Sequence, residues 1–261
     1  MRLTNSMTAF VNGVRLAYSD TGRGVPLLCL HGGMGVDAAT LHVPGILDLA
    51  KFGVRVIIPD QRGHGRSARC SQTDYSHNRW VTDVHDLAES LGLSRFALLG
   101  HSYGGFLALE YAIRWADSLT HLILVATSAG PILVRAASIS TDAELREYFR
   151  GIWPRFFVGD DKNWWLFETA QFAADPYNAA FTRELPGYDV REHASKLGVP
   201  TLLIVARTDP YRVHMEWLAR HMPNATLQVL DDVGHFPFIE AADEFTQSVA
   251  GFMGSRGQFA V

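Results

Sequence analysis

Phe96-Ala97-Leu98-Leu99-Gly100-His101-Ser102-Tyr103-Gly104-Gly105 is the stretch on which the reading of this chain turns. Four apolar residues in an unbroken run predict a strand covered on both faces, and residues 104–115 predict a helix, so Ser102 falls at a strand-to-helix bend. Glycine two positions before and two after the serine suits a bend too crowded for Cβ atoms. Gly105 lets the helix approach the sheet.

Outward from this bend, an unbroken apolar run at 25–30 is followed by runs of the same largely apolar character at 54–58, 122–125 and 201–205, with a shorter example at 227–230. Ahead of them, extended segments 9–11 and 14–18 flank Asn12-Gly13, whose tolerance of positive φ predicts a two-residue β-hairpin. Helical spacing separates most of the strands. In 78–91, Val81, Val84, Leu87, Ala88 and Leu91 recur at three- and four-residue steps, and 211–221 and 240–253 read similarly. The alternation predicts an α/β fold: a mostly parallel sheet with an N-terminal antiparallel hairpin and helices on both faces. Ligands in such sheets sit beyond the carboxyl ends of the strands, so function is expected in the loops after Leu30, Ile58, Leu99, Val125, Val205 and Leu230.

One region breaks the rhythm. Residues 131–190 hold no buried-strand run, yet carry about two-fifths of the aromatic residues in under a quarter of the chain. A helical cap is expected there, inserted in a core formed by 1–130 and 191–261. Its candidate substrate contacts are Trp153, Trp164, Phe167 and Glu168, since ligand clefts are lined mainly by apolar and aromatic side chains.

Composition narrows the function classes. At 261 residues, 48% hydrophobic and 19% charged, the chain suits one large globular unit rather than a disordered or fibrous protein. A net charge of −4 offers no basic field to hold nucleic acid or an anionic membrane. Residues 1–20 lack the apolar run of a secretion signal, and no segment approaches a membrane span. Cys29 and Cys70 are too few for a disulfide framework and lack zinc-site spacing, and no HExxH occurs. The expectation is a cytoplasmic protein without metal or cofactor, monomer or homo-oligomer, whose partner is a small-molecule substrate.

A serine hydroxyl attacks a carbonyl only when a base takes its proton, and that base needs a carboxylate to orient it. His235, in Val233-Gly234-His235-Phe236-Pro237, directly follows the last predicted strand. Asp209, in Ala206-Arg207-Thr208-Asp209-Pro210, follows the preceding one, and both should emerge on the same sheet edge as Ser102. Asp231 and Asp232 are rivals for the carboxylate, but their place on the same turn as His235 suits capping or solvating that loop. The oxyanion needs two backbone donors. Tyr103 N–H is one; Gly33, in His31-Gly32-Gly33-Met34-Gly35, is the other, with Met34 as the alternative and His31 expected to brace the loop.

Through His31-Gly32-Gly33, Asp60-Gln61-Arg62-Gly63-His64-Gly65-Arg66-Ser67, the Ser102 bend, Asp209 and Gly234-His235, the chain resembles the α/β-hydrolase family over essentially its whole length. The resemblance implies a serine hydrolase that cleaves a carboxylic ester, lactone or amide through an acyl-enzyme. The HGGxG turn, the DQRGxGxS loop and the doubled glycine after the bend are similar to proline iminopeptidases, which makes an aminopeptidase the alternative. Those peptidases carry Pro where Met34 stands, and a longer insertion whose acidic residues grip a substrate amino group; Glu144 and Glu168 are the candidates here. Two readings come from other classes. Gly33-Met34-Gly35-Val36-Asp37-Ala38, with Asp60 ending the next strand, fits a dinucleotide fingerprint, although Pro44 interrupts the helix that it requires. The same scaffold can also serve as a non-catalytic ligand-binding protein.

Overall fold

Asn12 and Gly13 both take positive φ, 47° and 72°, and turn strand β1 (Met7–Val11) back onto β2 (Val14–Thr21) in antiparallel register. The hairpin joins a sheet completed by β3 (Val25–Leu30), β4 (Val54–Pro59), β5 (Phe96–His101), β6 (Leu119–Val125), β7 (Thr201–Ala206) and β8 (Ala225–Leu230). The order across the eight strands is β1-β2-β4-β3-β5-β6-β7-β8. β2 meets β4 antiparallel, and every pairing beyond β4 is parallel. Every residue of β5, β6 and β7 is buried, which explains their unbroken apolar runs. The edge strand β8 is partly exposed and shows the run only at its end.

The computed structural model describes residues 7–132, 139–159 and 161–254, so the expected divisions 1–130, 131–190 and 191–261 run in part over residues outside these. The helices are α1 (Pro44–Leu47), α2 (His77–Ser90), α3 (Tyr103–Trp115), α4 (Asp142–Ile152), α5 (Trp164–Thr169), α6 (Ala174–Ala179), α7 (Arg191–Ala194), α8 (Arg212–His221), α9 (Pro237–Glu240) and α10 (Ala242–Gly254). α4 to α6 all lie between β6 and β7. The helix expected over 240–253 is two helices, because Ala241, at φ −127° and ψ 49°, leaves helical geometry. Among the described residues no helix is long and apolar enough to cross a membrane.

β3 sits between β4 and β5, with Leu30 opposite Gly100. The chain leaves β3 for one side of the sheet and later returns on the other, so the loops after β3 and β5 diverge and open a crevice. That crevice does not suit a dinucleotide. After β3 the chain enters a short 3₁₀ turn (Ala38–Leu41), and Val43 is extended, at φ −128° and ψ 159°, ahead of the four-residue α1. No long helix aims its N-terminus at a pyrophosphate position here, which corrects the fingerprint reading.

Candidate active site

Ser102 links β5 to α3 at φ 52° and ψ −115°, a conformation costly for a residue with a Cβ. Its surroundings hold it there. Ser102 N–H donates to the Val125 carbonyl at 2.8 Å, and the Ser102 carbonyl accepts from Thr127 Oγ1 at 2.8 Å and Gly105 N–H at 2.9 Å. A Cβ on Gly104 would overlap the Leu30 carbonyl, and one on Gly100 would overlap the Gly104 carbonyl, so the glycines answer to close backbone approach. The serine is 9% exposed and lines a cavity of about 570 Å³; among the described residues its hydroxyl makes no hydrogen bond.

His235 lines the same cavity, and its Nδ1–H donates to Asp209 Oδ2 at 2.7 Å. Asp209 is buried and accepts a second bond at Oδ1, from Tyr211 N–H at 2.7 Å. With Nδ1 carrying the proton, Nε2 of the neutral ring keeps its lone pair. Asp231 instead pairs with Arg207 on the surface, and Asp232 is exposed. The structure thus brings Ser102, Asp209 and His235 to one cavity and leaves both rival aspartates out of it.

His101, one residue before the serine, is a further part of this arrangement. It is buried, and its Nε2–H donates to the His235 carbonyl at 2.9 Å, with the two rings 4.8 Å apart. Burial, and next the neighbouring His235, hold its pKa well below the ordinary value and keep it neutral. Nothing in the sequence singles it out, because its partner lies 134 positions away.

Where the sequence places the oxyanion donors, Gly33 lines the cavity at φ 57°, and a Cβ on Gly32 would come within 2.7 Å of Ser102 Cβ. Met34 is wholly buried and is not a cavity wall, and Gly35 N–H is committed to His64 Nε2 at 2.8 Å. Tyr103 opens α3, so its N–H lacks an intrahelical acceptor. Its hydroxyl donates to His77 Nε2 at 2.6 Å, and His77 Nδ1–H donates to Glu110 Oε1 at 2.5 Å, which fixes the first turn of the helix. His31 is a brace: Nε2 accepts from Gln61 N–H and Nδ1–H donates to the Gly32 carbonyl, both at 3.1 Å. Burial lowers its pKa to about 4.

Of the four expected cap contacts, Trp153 is a cavity wall and the other three lie elsewhere. Trp164 is exposed on the cap surface. Phe167 is fully buried beneath the guanidinium groups of Arg146 and Arg150, and Glu168 pairs with those arginines on the outside. Glu144 caps α4: its carboxylate accepts from Ser140 N–H at 2.7 Å while its own N–H donates to Thr141 Oγ1 at 3.1 Å. The rings that do line the cavity include Tyr148, Phe149, Phe156, Tyr177 and Phe236. Aromatic density in the sequence marks the region; which rings turn inward depends on helix rotations that neighbouring helices decide. Arg155, the one arginine or lysine of the walls among the described residues, carried no sequence signal at all.

A family model described as "Alpha/beta hydrolase family" matches residues 27–247. The chain is 30% identical to a 2-hydroxymuconate semialdehyde hydrolase of Pseudomonas sp., over 95% of this chain and 94% of that one. It is 27% identical to a proline iminopeptidase of Saccharolobus solfataricus, over 90% and 87% respectively. Among solved structures, an enol-lactonase from Burkholderia xenovorans superposes with a TM-score of 0.77 at 26% identity, covering 95% of this chain and 99% of the other.

Proposed function

The chain belongs to the α/β-hydrolase family, and from that premise we propose a serine hydrolase that cleaves an ester or lactone of a small, largely apolar substrate. Ser102 Oγ attacks the carbonyl as His235 Nε2 takes its proton, a contact that closes in the substrate complex. Asp209 holds the ring in this tautomer and stabilises the imidazolium. Tyr103 and Gly33 N–H groups receive the oxyanion. His235 then protonates the leaving group, and a water activated by the same nitrogen hydrolyses the acyl-enzyme.

The observation that carries this reading is the 2.7 Å bond between His235 and Asp209 beside a serine held in strained geometry in the same cavity. The relatives named for a semialdehyde hydrolase and an enol-lactonase support a small-molecule substrate. The aminopeptidase reading needs a carboxylate for the substrate amino group; among the described residues Asp209 is the sole acid of the walls and is engaged with His235, while Glu144 and Glu168 are engaged elsewhere.

A fluorophosphonate probe should label Ser102, and Ser102→Ala should lose both the label and turnover of 4-nitrophenyl butyrate, the latter by on the order of 10⁴-fold, with an unchanged circular dichroism spectrum. Undiminished turnover in Ser102→Ala refutes the mechanism. Faster cleavage of prolyl 4-nitroanilide than of the butyrate ester restores the peptidase reading.

A further inference from the structure

The cavity walls are mostly rings and aliphatic side chains, and among the described residues the charged side chains there are Asp209 and Arg155. Asp209 is satisfied by His235 and Tyr211. Arg155 has no such partner: among the described residues its guanidinium makes no ion pair and no hydrogen bond. The other described arginines of the β6–β7 insertion are all engaged. Arg146 and Arg150 pair with Glu168, and Arg183 donates to the Gln72 and Tyr75 carbonyls at 2.8 and 2.9 Å.

The backbone around Arg155 is fixed. It belongs to a 3₁₀ turn (Trp153–Phe156) that starts at buried Trp153, whose Nε1–H donates to the Lys162 carbonyl at 2.9 Å. The Phe156 carbonyl accepts His235 N–H at 2.7 Å, and Val158 N–H donates to Glu240 at 2.8 Å. The turn is therefore tied to the loop of the candidate base, and Arg155, an exposed residue, stands on this fixed turn among the cavity walls.

A guanidinium without a counter-ion gives nothing to a wholly apolar ligand. It matches the two oxygens of a carboxylate, in the bidentate geometry that makes charge-assisted hydrogen bonds strong. We infer that Arg155 is the anchor for a carboxylate borne by the substrate, so that the ester or lactone acted on is an acid ester with an apolar body. This rests on the hydrolase reading of the same cavity and narrows its substrate class.

The test compares acid and neutral esters of matched shape on the intact protein. One pair carries the charge on the acyl side, mono-4-nitrophenyl glutarate against 4-nitrophenyl valerate; the other carries it on the leaving group, 4-acetoxybenzoate against 4-acetoxybenzamide. In Arg155→Gln the ratio of kcat/KM for the acid over the neutral ester should fall roughly ten-fold in at least one pair, through KM, and Arg155→Lys should recover part of it. Ratios unchanged in both pairs overturn the inference and leave the hydrolase reading intact. Turnover of none of the four esters by the wild-type protein sinks the hydrolase reading, and calorimetric binding then decides. Arg155→Gln should bind 4-phenylbutyrate about ten-fold more weakly than wild type does, with a smaller change for 4-phenylbutanol; equal weakening or none overturns the anchor.

Discussion

At Ser102 a side chain occupies backbone space that ordinarily favours glycine, at a cost of about 1–3 kcal/mol. The cost is offset by three hydrogen bonds to the serine backbone and by the glycines that let β5, α3 and the end of β3 crowd together. Gly104→Ala tests this directly. Its Cβ would overlap the Leu30 carbonyl, which is backbone of a central strand and cannot turn aside. We expect a loss of stability on the order of 3 kcal/mol, which for a chain of this size lowers the melting temperature by roughly 6–12 °C. A melting temperature within a degree of wild type would contradict it. At this scale the sequence was partly legible. The meeting of Ser102, Asp209 and His235 at one cavity could be read from their places after strands. His101 could not, because its imidazole serves a backbone carbonyl that any residue would present.

The elements show how the cap is fastened. Glu240, at the end of α9, accepts Gly234 N–H at 2.7 Å and Val158 N–H at 2.8 Å, so one carboxylate joins the His235 loop to the cap. A second clasp joins the cap to the glycine loop after β3: Ala173 N–H donates to the Gly35 carbonyl at 2.8 Å, and Asp37 N–H to the Gln171 carbonyl at 3.1 Å. Glu240→Ala removes both acceptors of the first fastening, so kcat/KM should fall about ten-fold and amide exchange at Val158 and Gly234 should accelerate. Glu240→Gln keeps one carbonyl oxygen and should fall between. Unchanged exchange at both amides in Glu240→Ala would exclude the fastening. Burial on both faces writes itself into a strand as an unbroken apolar run, so the sheet was readable to within a few residues. Glu240 reads in sequence as the start of one long helix; the break at Ala241 and the reach to Val158 are tertiary facts without a local signature.

Across the whole molecule, buried titratable groups set opposing pH dependences. His31, His64 and His101 are almost fully buried, and burial lowers each pKa below the ordinary 6.5. The unfolded chain therefore takes up their protons first, and stability is lost as pH falls below about 6.5. Asp37 acts in the other sense. Burial, and next the charge of Asp60, raise its pKa from 3.8 to about 7, so the folded chain holds a proton that the unfolded chain has released. Its penalty grows as pH rises from about 4 to 7 and is complete above that. In the shared window five histidines of lowered pKa, His42 and His214 included, oppose three acids of raised pKa, Asp37, Asp83 and Glu240. The unfolded state binds a net of about two extra protons at most, which is roughly 3 kcal/mol per pH unit at the steepest point. Stability should therefore be greater at pH 7 than at pH 5. Asp37→Asn removes its own share of the opposing contribution while keeping an oxygen for the 3.3 Å bond from Ala39 N–H. Its melting temperature should exceed that of wild type most at pH 8, and the two should converge toward pH 4. Calorimetric melts of both proteins at pH 5, 6.5 and 8 check this; a difference that grows on acidification would mean that Asp37 is ionised and stabilising in the folded chain.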